Sequence, residues 1–294
     1  MSEPEASIRN ISDTARWAAV YRAQESERVD ALFRDPFARR LAGDRGREIV
    51  QSLGPENQNG RLRAGRDEWP WVTRTFLFDQ LIGQEVARGA DLVLNLAAGL
   101  DARPYRMDLP SSLTWVEVDL PELLAYKEAL LKDEKPACDV RRVALDLSSV
   151  NERRALFDRL GRKAGRVVIL AEGLLIYMAP EEVALLARDL AKAPHFRRWI
   201  LSLESPALLR LLQRQVGDQL NQASAPLKFA PKEGPGLFES YGWKPLEVHS
   251  LLKTAARVKR LSSFLRVLAM LPESLDRRAP RPWSSVCLLE GMQP

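Results

Sequence analysis

The stretch Asp91–Leu120, DLVLNLAAGLDARPYRMDLPSSLTWVEVDL, decides how this chain is read. Leu92 to Leu96 is a short apolar run with the length and composition of a strand buried on both faces. A small-residue turn follows, Ala97-Ala98-Gly99, and Leu100-Asp101 leads into a short helix expected around Arg103-Pro104-Tyr105-Arg106. A second strand, Leu113 to Val118, stops at Asp119. Strand, glycine turn, helix, strand and terminal carboxylate is the layout of a nucleoside-binding βαβ unit.

The turn narrows the ligand. A dinucleotide fingerprint needs three glycines, so that the backbone can wrap a pyrophosphate at a helix N-terminus. Here Gly99 stands alone, and Asp101 occupies a place where a phosphate would want donors. A carboxylate there repels a polyphosphate and tolerates a cation. Asp119 follows Gly99 by twenty residues, the separation at which a strand-end carboxylate takes two ribose hydroxyls. S-adenosylmethionine meets both conditions, having a ribose, a sulfonium, an ammonium and no phosphate. An unliganded strand–turn–helix of an α/β protein would show the same local pattern.

Outward from this unit the chain alternates. Pro121 to Leu131, Asn151 to Leu160, Pro180 to Leu190 and Pro206 to Gln222 read as helices. Val140–Leu145, Val167–Leu170 and Trp199–Leu203 read as the third to fifth strands, and Trp243–His249 and Ser284–Leu289 as two final ones. A last helix is expected over Leu261–Leu271. Five strands alternating with helices imply a parallel sheet wound on both faces. Before Asp91, three helices are expected: Ser12–Glu27, one beginning at Asp35-Pro36 and stopping near Gly43, and Asp67–Ala87 with Trp71, Phe76, Leu77 and Leu81 facing inward. Residues 1–90 read as a helical extension capping the ligand edge of a core at 91–294, within a single domain. The polar segment Gly54–Gly65 reads as a mobile loop.

Composition excludes little but bounds the class. The 294 residues, 46% hydrophobic and 28% charged, describe a soluble globular protein able to bury one large core. The apolar runs are too short to span a bilayer, and the N-terminus lacks the basic-then-apolar order of a secretory signal. Cys138 and Cys287 form no metal-binding spacing, so a reducing cytoplasm is expected and no metal site. The net charge of +5 is spread over interleaved arginines and acids, so neither nucleic acid nor membrane is an expected partner.

In a sheet of this kind ligands bind at the carboxyl ends of the strands, where strand order reverses. Gly99, Asp119, Asp146 and Glu172 are all expected on that rim. Each acid singly could be a helix cap or a solvated loop residue; four such positions on one rim are harder to dismiss than any one alone.

SDTARWAAVYRAQESE, DPFARRLAG, NLAAGLDARPYR, WVEVDLPELLAYK, and AEGLLIYM followed by Pro180 together resemble the leucine carboxyl methyltransferase family, in particular its bacterial S-adenosylmethionine-dependent O-methyltransferases. The likeness runs from about Ser12 to the final strand and is densest between Asp13 and Met178. It implies a Rossmann-like class I methyltransferase sheet of seven strands, mostly parallel with the last antiparallel, behind a helical extension. It also implies roles. Asp119 would hold the ribose hydroxyls, Asp146 with the Leu147 backbone would meet the adenine edge, and Gly99 would let the backbone pass the methionine portion. Glu172 would lie by the methionine ammonium, and Arg74 would pair with its carboxylate, a task suited to guanidinium. An N-terminal cation also belongs to the family's cofactor site; Arg16 and Arg22 compete for it, with Arg22 preferred. The family turn commonly carries a glycine where this chain has Ala97 or Ala98.

The resemblance implies methyl transfer to a carboxylate or hydroxyl of a small molecule, secondary metabolites among the candidates. A carboxylate acceptor needs no general base, whereas a hydroxyl is helped by one. His195 and His249 both sit poorly for that task, which leans toward a carboxylate. Tyr177 is the better placed residue to contact the acceptor. Two rival readings stand beside this one: an NAD-type oxidoreductase on the same sheet, against which the single glycine and Asp101 argue, and a non-catalytic binding protein using the basic stretch 253–278. Oligomeric state is not legible.

Overall fold

Leu92–Leu96 is buried at every residue, and this follows from its place at the centre of a sheet covered on both faces. The computed structural model describes residues 11–53, 68–271 and 282–292. The expected Gly54–Gly65 loop and the end of the basic stretch beyond Leu271 lie outside them.

Seven strands form one sheet: β1 (Leu92–Leu96), β2 (Thr114–Asp119), β3 (Asp139–Ala144), β4 (Val167–Ala171), β5 (Phe196–Glu204), β6 (Trp243–Ser250) and β7 (Ser284–Gly291). Their order is β3-β2-β1-β4-β5-β7-β6, with β7 antiparallel to both neighbours and the pairs from β3 to β5 parallel. The chain moves outward from β1 through β2 to β3, then returns to β4 on the other side. The order therefore reverses between β1 and β4, which places the ligand crevice at their carboxyl ends.

Ten α-helices frame the sheet among the described residues: α1 (Ile11–Ser26), α2 (Ala38–Leu53), α3 (Trp69–Ala87), α4 (Arg103–Arg106), α5 (Pro121–Leu131), α6 (Val150–Gly161), α7 (Pro180–Lys192), α8 (Pro206–Gln222), α9 (Leu251–Arg257) and α10 (Ser263–Ala269). Proline opens α5, α7 and α8, where its fixed φ suits the first turn and its missing N–H removes no bond. Alternation splits the sheet's side chains into two layers. Val93, Trp115, Val168, Leu170 and Ile200 pack against Leu77, Phe78, Leu81 and Ile82 of α3. Leu94, Val116, Ile169 and Trp199 pack against Phe157 of α6, Leu186 of α7 and Phe238.

Two expectations need correction. Trp71 and Phe76 are only half-buried; Phe78 fills the position expected for Phe76, because it lies on the helical stripe of Leu81 and Ile82. Gly43 ends the first helical segment of α2 where a stop is expected: its backbone is non-helical at φ 62°, and a second segment runs on from the kink to Leu53. The single helix expected over Leu261–Leu271 is shorter, α10, and α9 precedes it. Lys259 stands between them at φ 61°, and Arg260 is drawn inward to Glu25 at 2.8 Å. Leu261 of that stretch is buried, while Phe264, Val267 and Met270 are exposed.

The extension before the sheet divides. α3 covers the sheet face, whereas α1 and α2 pack with α5 around Leu41, Leu100 and Leu123, over the turn that follows β1. No helix among the described residues is long and apolar enough to cross a membrane.

Candidate functional site

The turn after β1 is bent by two left-handed residues, Ala97 at φ 51° and Gly99 at φ 52°. Ala98 N–H donates to the Val118 carbonyl at 3.2 Å and ties the turn to β2. Gly99 N–H donates to Asp119 Oδ2 at 2.6 Å, and Leu120 N–H to Oδ1 at 2.7 Å. Burial raises the Asp119 pKa, and these two N–H groups recover part of the shift. Each oxygen keeps a second lone pair, which two vicinal hydroxyls could fill.

β3 ends beside β2, with Ala144 opposite Asp119 and Leu145 N–H on the Asp119 carbonyl at 3.0 Å. Asp146 is exposed there and its Oδ1 accepts the Ser148 N–H at 2.8 Å, which shapes the loop. The Leu147 carbonyl is held by Arg153 Nη1 at 2.8 Å. Arg153 is buried, and its other nitrogens reach Asp189 Oδ2 at 2.7 and 3.1 Å. The carbonyl is thus held in place by a helix-borne arginine.

On the other side of β1, Glu172 follows β4. Its Oε1 lies 3.1 Å from Arg74 Nε and its Oε2 2.8 Å from Arg103 Nη1. Burial works to raise its pKa, but Arg103 and Arg74 outweigh that and hold it low. Gly173, at φ 67°, donates its N–H to Ser202 Oγ at 2.9 Å. A Cβ on Gly173 would sit 3.3 Å from Arg74 Nη1, so a side chain there would press on the guanidinium. Arg74 also lies over the Trp71 ring, 4.7 Å from the centroid.

Arg103 is the hub that the sequence reading missed. It is 3% exposed, and besides Glu172 it reaches Asp101 Oδ2 at 3.0 Å and Asp79 Oδ1 at 2.6 Å. Asp79 holds Arg106 by two bonds of 2.7 Å. Asp101 accepts from Asn95 Nδ2 at 2.8 Å as well. Burial opposes its charge, yet Arg103, with Lys127 and Arg106 behind it, brings the carboxyl down to about 2. Asp101 is therefore a neutralised strut of the turn, not an open carboxylate awaiting a cation. The signal was present, since Arg103 and Arg106 stand in the motif; their partner Asp79 lies on another helix, beyond the reach of any local pattern.

Arg22 is buried, with Nε on Asp35 at 2.9 Å and Nη2 on the Leu100 carbonyl at 2.6 Å. It braces the turn after β1 from below. Arg16 instead lies over the Tyr126 ring at 3.9 Å and pairs with Asp13. Of the two competing arginines, Arg22 is the one on the turn.

Tyr177 closes a short 3-10 turn, Leu175–Tyr177, where burial raises its pKa and the Thr14 hydroxyl hydrogen-bonds the phenol. Trp17 packs in the same cluster, 5.0 Å from the ring of Trp71. Glu204, the last residue of β5, completes this side. Burial carries its carboxyl to about 7 against the pull of Arg74 and a hydrogen bond from Ser284. His195, by contrast, is exposed just before β5, at the opposite end of the strands, and His249 lies on β6, 2.8 Å from Glu247.

Asp119 and Glu172 thus flank β1 at the same end of the sheet, with Gly99 between them; Asp146 lies beyond Asp119, and Tyr177 and Glu204 beyond Glu172. The comparisons with known proteins bear on the family and the fold. The family profile described as leucine carboxyl methyltransferase matches residues 15–191. A protein from Streptomyces coelicolor named as an S-adenosyl-L-methionine-dependent methyltransferase is 30% identical, over 90% of this chain and 91% of its own. One of the same description from Streptomyces avermitilis is 31% identical, over 84% and 87%. Another from Mycobacteroides abscessus is 36% identical over 62% of this chain, and the match spans 61% of that protein's length. Among solved structures, a protein from Thermobifida fusca named as a methyltransferase superposes with a TM-score of 0.56, at 15% identity and 98% and 96% coverage. A likeness at that identity speaks for the fold alone.

Proposed function

The chain belongs to the leucine carboxyl methyltransferase family and is an S-adenosylmethionine-dependent methyltransferase; from that premise we propose that it methylates oxygen, on a carboxylate or hydroxyl of a small molecule. The observation that carries the site assignment is the Arg74–Glu172 contact of 3.1 Å, which sets opposite charges side by side at the end of β4. An amino acid end is a zwitterion, and such a pair can meet both its charges.

The residues fit the cofactor. Gly99 and Gly173 keep the two turns free of Cβ atoms, which would press on Ala15 Cβ and Arg74 Nη1, each at 3.3 Å. Asp119 offers unused lone pairs on two oxygens for the ribose hydroxyls. Arg74 takes the amino acid carboxylate bidentately, and Glu172 the ammonium. Asp146 and the Leu147 backbone take the adenine edge, positioned by Arg153. Gly99 lets the backbone approach, and Arg22 holds that backbone in place through Leu100. Tyr177 contacts the acceptor. When bound, the cofactor supplies a methyl group on a sulfonium, open to in-line displacement; the protein's part is to align the acceptor oxygen and exclude water.

The reading of an NAD-type oxidoreductase is not favoured, for the family is one of methyltransferases and the turn is closed by Asp101 and Arg103. The reading of the basic stretch as a binding surface weakens too, since Arg260 is engaged with Glu25 and Asp30. Calorimetric titration with S-adenosylmethionine and S-adenosylhomocysteine, on the wild type and Asp119→Ala, tests the cofactor assignment. Methyl transfer screened over carboxylic acids and phenols tests the acceptor. Binding undiminished in Asp119→Ala would refute the ribose role.

A further inference from the structure

Alternation along the strands places Glu172, Ser202 and Glu204 on the sheet face that α3 covers, continuing the row of Leu170 and Ile200. Two of the rim carboxylates are already committed. Glu172 has two guanidiniums, and Asp119 has two backbone N–H donors. Glu204 has no ion pair of its own among the described residues. Its neighbours come from three elements: Arg74 of α3, whose Nε is bound to Glu172; Tyr177 of the turn after β4; and Ser284 of β7, directly opposite it in register. Cys287 is on the other face of β7, with a thiol that burial pushes up to about 12. Ser205, the next residue, is pinned by N–H donors from Leu208 at 3.2 Å and Trp283 at 2.9 Å. The Glu204 backbone is therefore fixed between β7 and the start of α8.

Beside this carboxylate lies Tyr177, which shares a cluster with Trp17, itself 5.0 Å from the ring of Trp71. The buried indole N–H of Trp17 has no hydrogen-bond partner among the described residues, an unmet donor next to a wall of rings. A buried donor without a partner costs roughly 1–3 kcal/mol, which an acceptor oxygen reaching it would recover.

We propose that Glu204 takes the proton from a hydroxyl-bearing acceptor seated against Tyr177 and the Trp17–Trp71 pair, so that the methylated oxygen is that of a phenol or alcohol. This rests on the methyltransferase reading and narrows its acceptor. The acceptor O–H bond breaks with its proton passing to a Glu204 carboxylate oxygen. The acceptor oxygen, freed of its proton, forms the new O–CH3 bond, and the C–S bond breaks with its electron pair left on sulfur. A carboxylate and a sulfonium become a neutral acid and a neutral thioether, and the acceptor becomes a neutral ether. Glu204 then returns its proton to solvent. A carboxyl titrating near pH 7 is suited to this exchange.

The test uses the whole chain with 2-naphthol and 2-naphthoate as matched acceptor probes, in the wild type and Glu204→Gln. S-adenosylhomocysteine binding by calorimetry serves as the control for a folded cofactor site. The expected result is equal S-adenosylhomocysteine affinity in both proteins, with 2-naphthol methylation at least about 100-fold slower in the variant and its rise through pH 7 abolished. In the wild-type complex with S-adenosylhomocysteine, 2-naphthol should also bind more tightly as pH rises through 7, and in the variant that dependence should vanish. Should neither probe be methylated, this binding profile decides: a wild-type profile that is flat, or one unchanged in Glu204→Gln, overturns the proposal. Methylation of 2-naphthoate alone overturns it too, as does 2-naphthol turnover unaltered by the substitution. Absence of S-adenosylhomocysteine binding in the wild type would instead sink the cofactor reading, and the proposal with it.

Discussion

Gly99 N–H meets Asp119 Oδ2 at 2.6 Å, so the turn that ends β1 and the carboxylate that ends β2 are one structural unit across twenty residues of chain. A ligand that engages Asp119 therefore also reports on the turn. Replacing Asp119 by alanine removes a charge-assisted acceptor from two backbone N–H groups and from the ribose position. S-adenosylhomocysteine should bind about 10- to 100-fold more weakly by calorimetry, the loss expected for hydrogen bonds to a charged group.

Ala97 and Gly99 have nearly the same positive φ, but only one of them is glycine. Substitutions there should have opposite signs. Ala97→Gly relieves a left-handed alanine and should stabilise the fold by up to about 1 kcal/mol, the larger flexibility of the unfolded chain offsetting part of the gain. Gly99→Ala should destabilise it by about 1–2 kcal/mol, since the new methyl also presses on Ala15. Urea unfolding of the two variants measures both.

Arg103 bridges Asp79, Asp101 and Glu172. Arg103→Met should cost about 3–5 kcal/mol, because it strands buried carboxylates rather than simply removing an attraction. The pH dependence carries the sign. Asp101 titrates at about 2 in the folded protein, below its value of about 3.9 in an unfolded chain. Its contribution is present above pH 4 and is lost as pH falls toward 2. Wild-type stability should drop across that acid window, and Arg103→Met should flatten the drop.

Glu204 has the opposite sign. Its folded pKa of about 7 lies above the unfolded value, so its contribution is full below pH 4 and is lost as pH rises through 7. The cost of holding it ionised has an upper bound of about 3 kcal/mol at pH 8. Glu204→Gln should accordingly raise the thermal midpoint at pH 8 by several degrees and leave it nearly unchanged at pH 4. A variant that gains stability while losing turnover would mark a residue kept for chemistry.

Much of the architecture was legible. Strand runs such as Val167–Ala171 and helix starts at Pro121, Pro180 and Pro206 follow from local chemistry, and each appears within a residue or two of its expected place. Misreadings arose where a contact from elsewhere overruled the local pattern. Lys259 and Arg260 break one expected helix because Glu25 and Asp30 draw the guanidinium away. Phe76 lost its inward place to Phe78 because the sheet selects the face of α3.

By itself the sequence determined the βαβ unit, the alternation around it and the strand-end residues Gly99, Asp119, Asp146 and Glu172, because strand period, turn residues and proline positions act over a few residues. Only the tertiary structure decided how those ends are charged: that Asp101 is neutralised by Arg103, that Arg74 serves Glu172, and that Glu204 is left, among the described residues, without a guanidinium of its own. Electrostatic partnership acts through space and depends on burial, and residues such as Asp79 and Arg103 or Arg74 and Glu172 are far apart along the chain until the sheet and α3 are packed together.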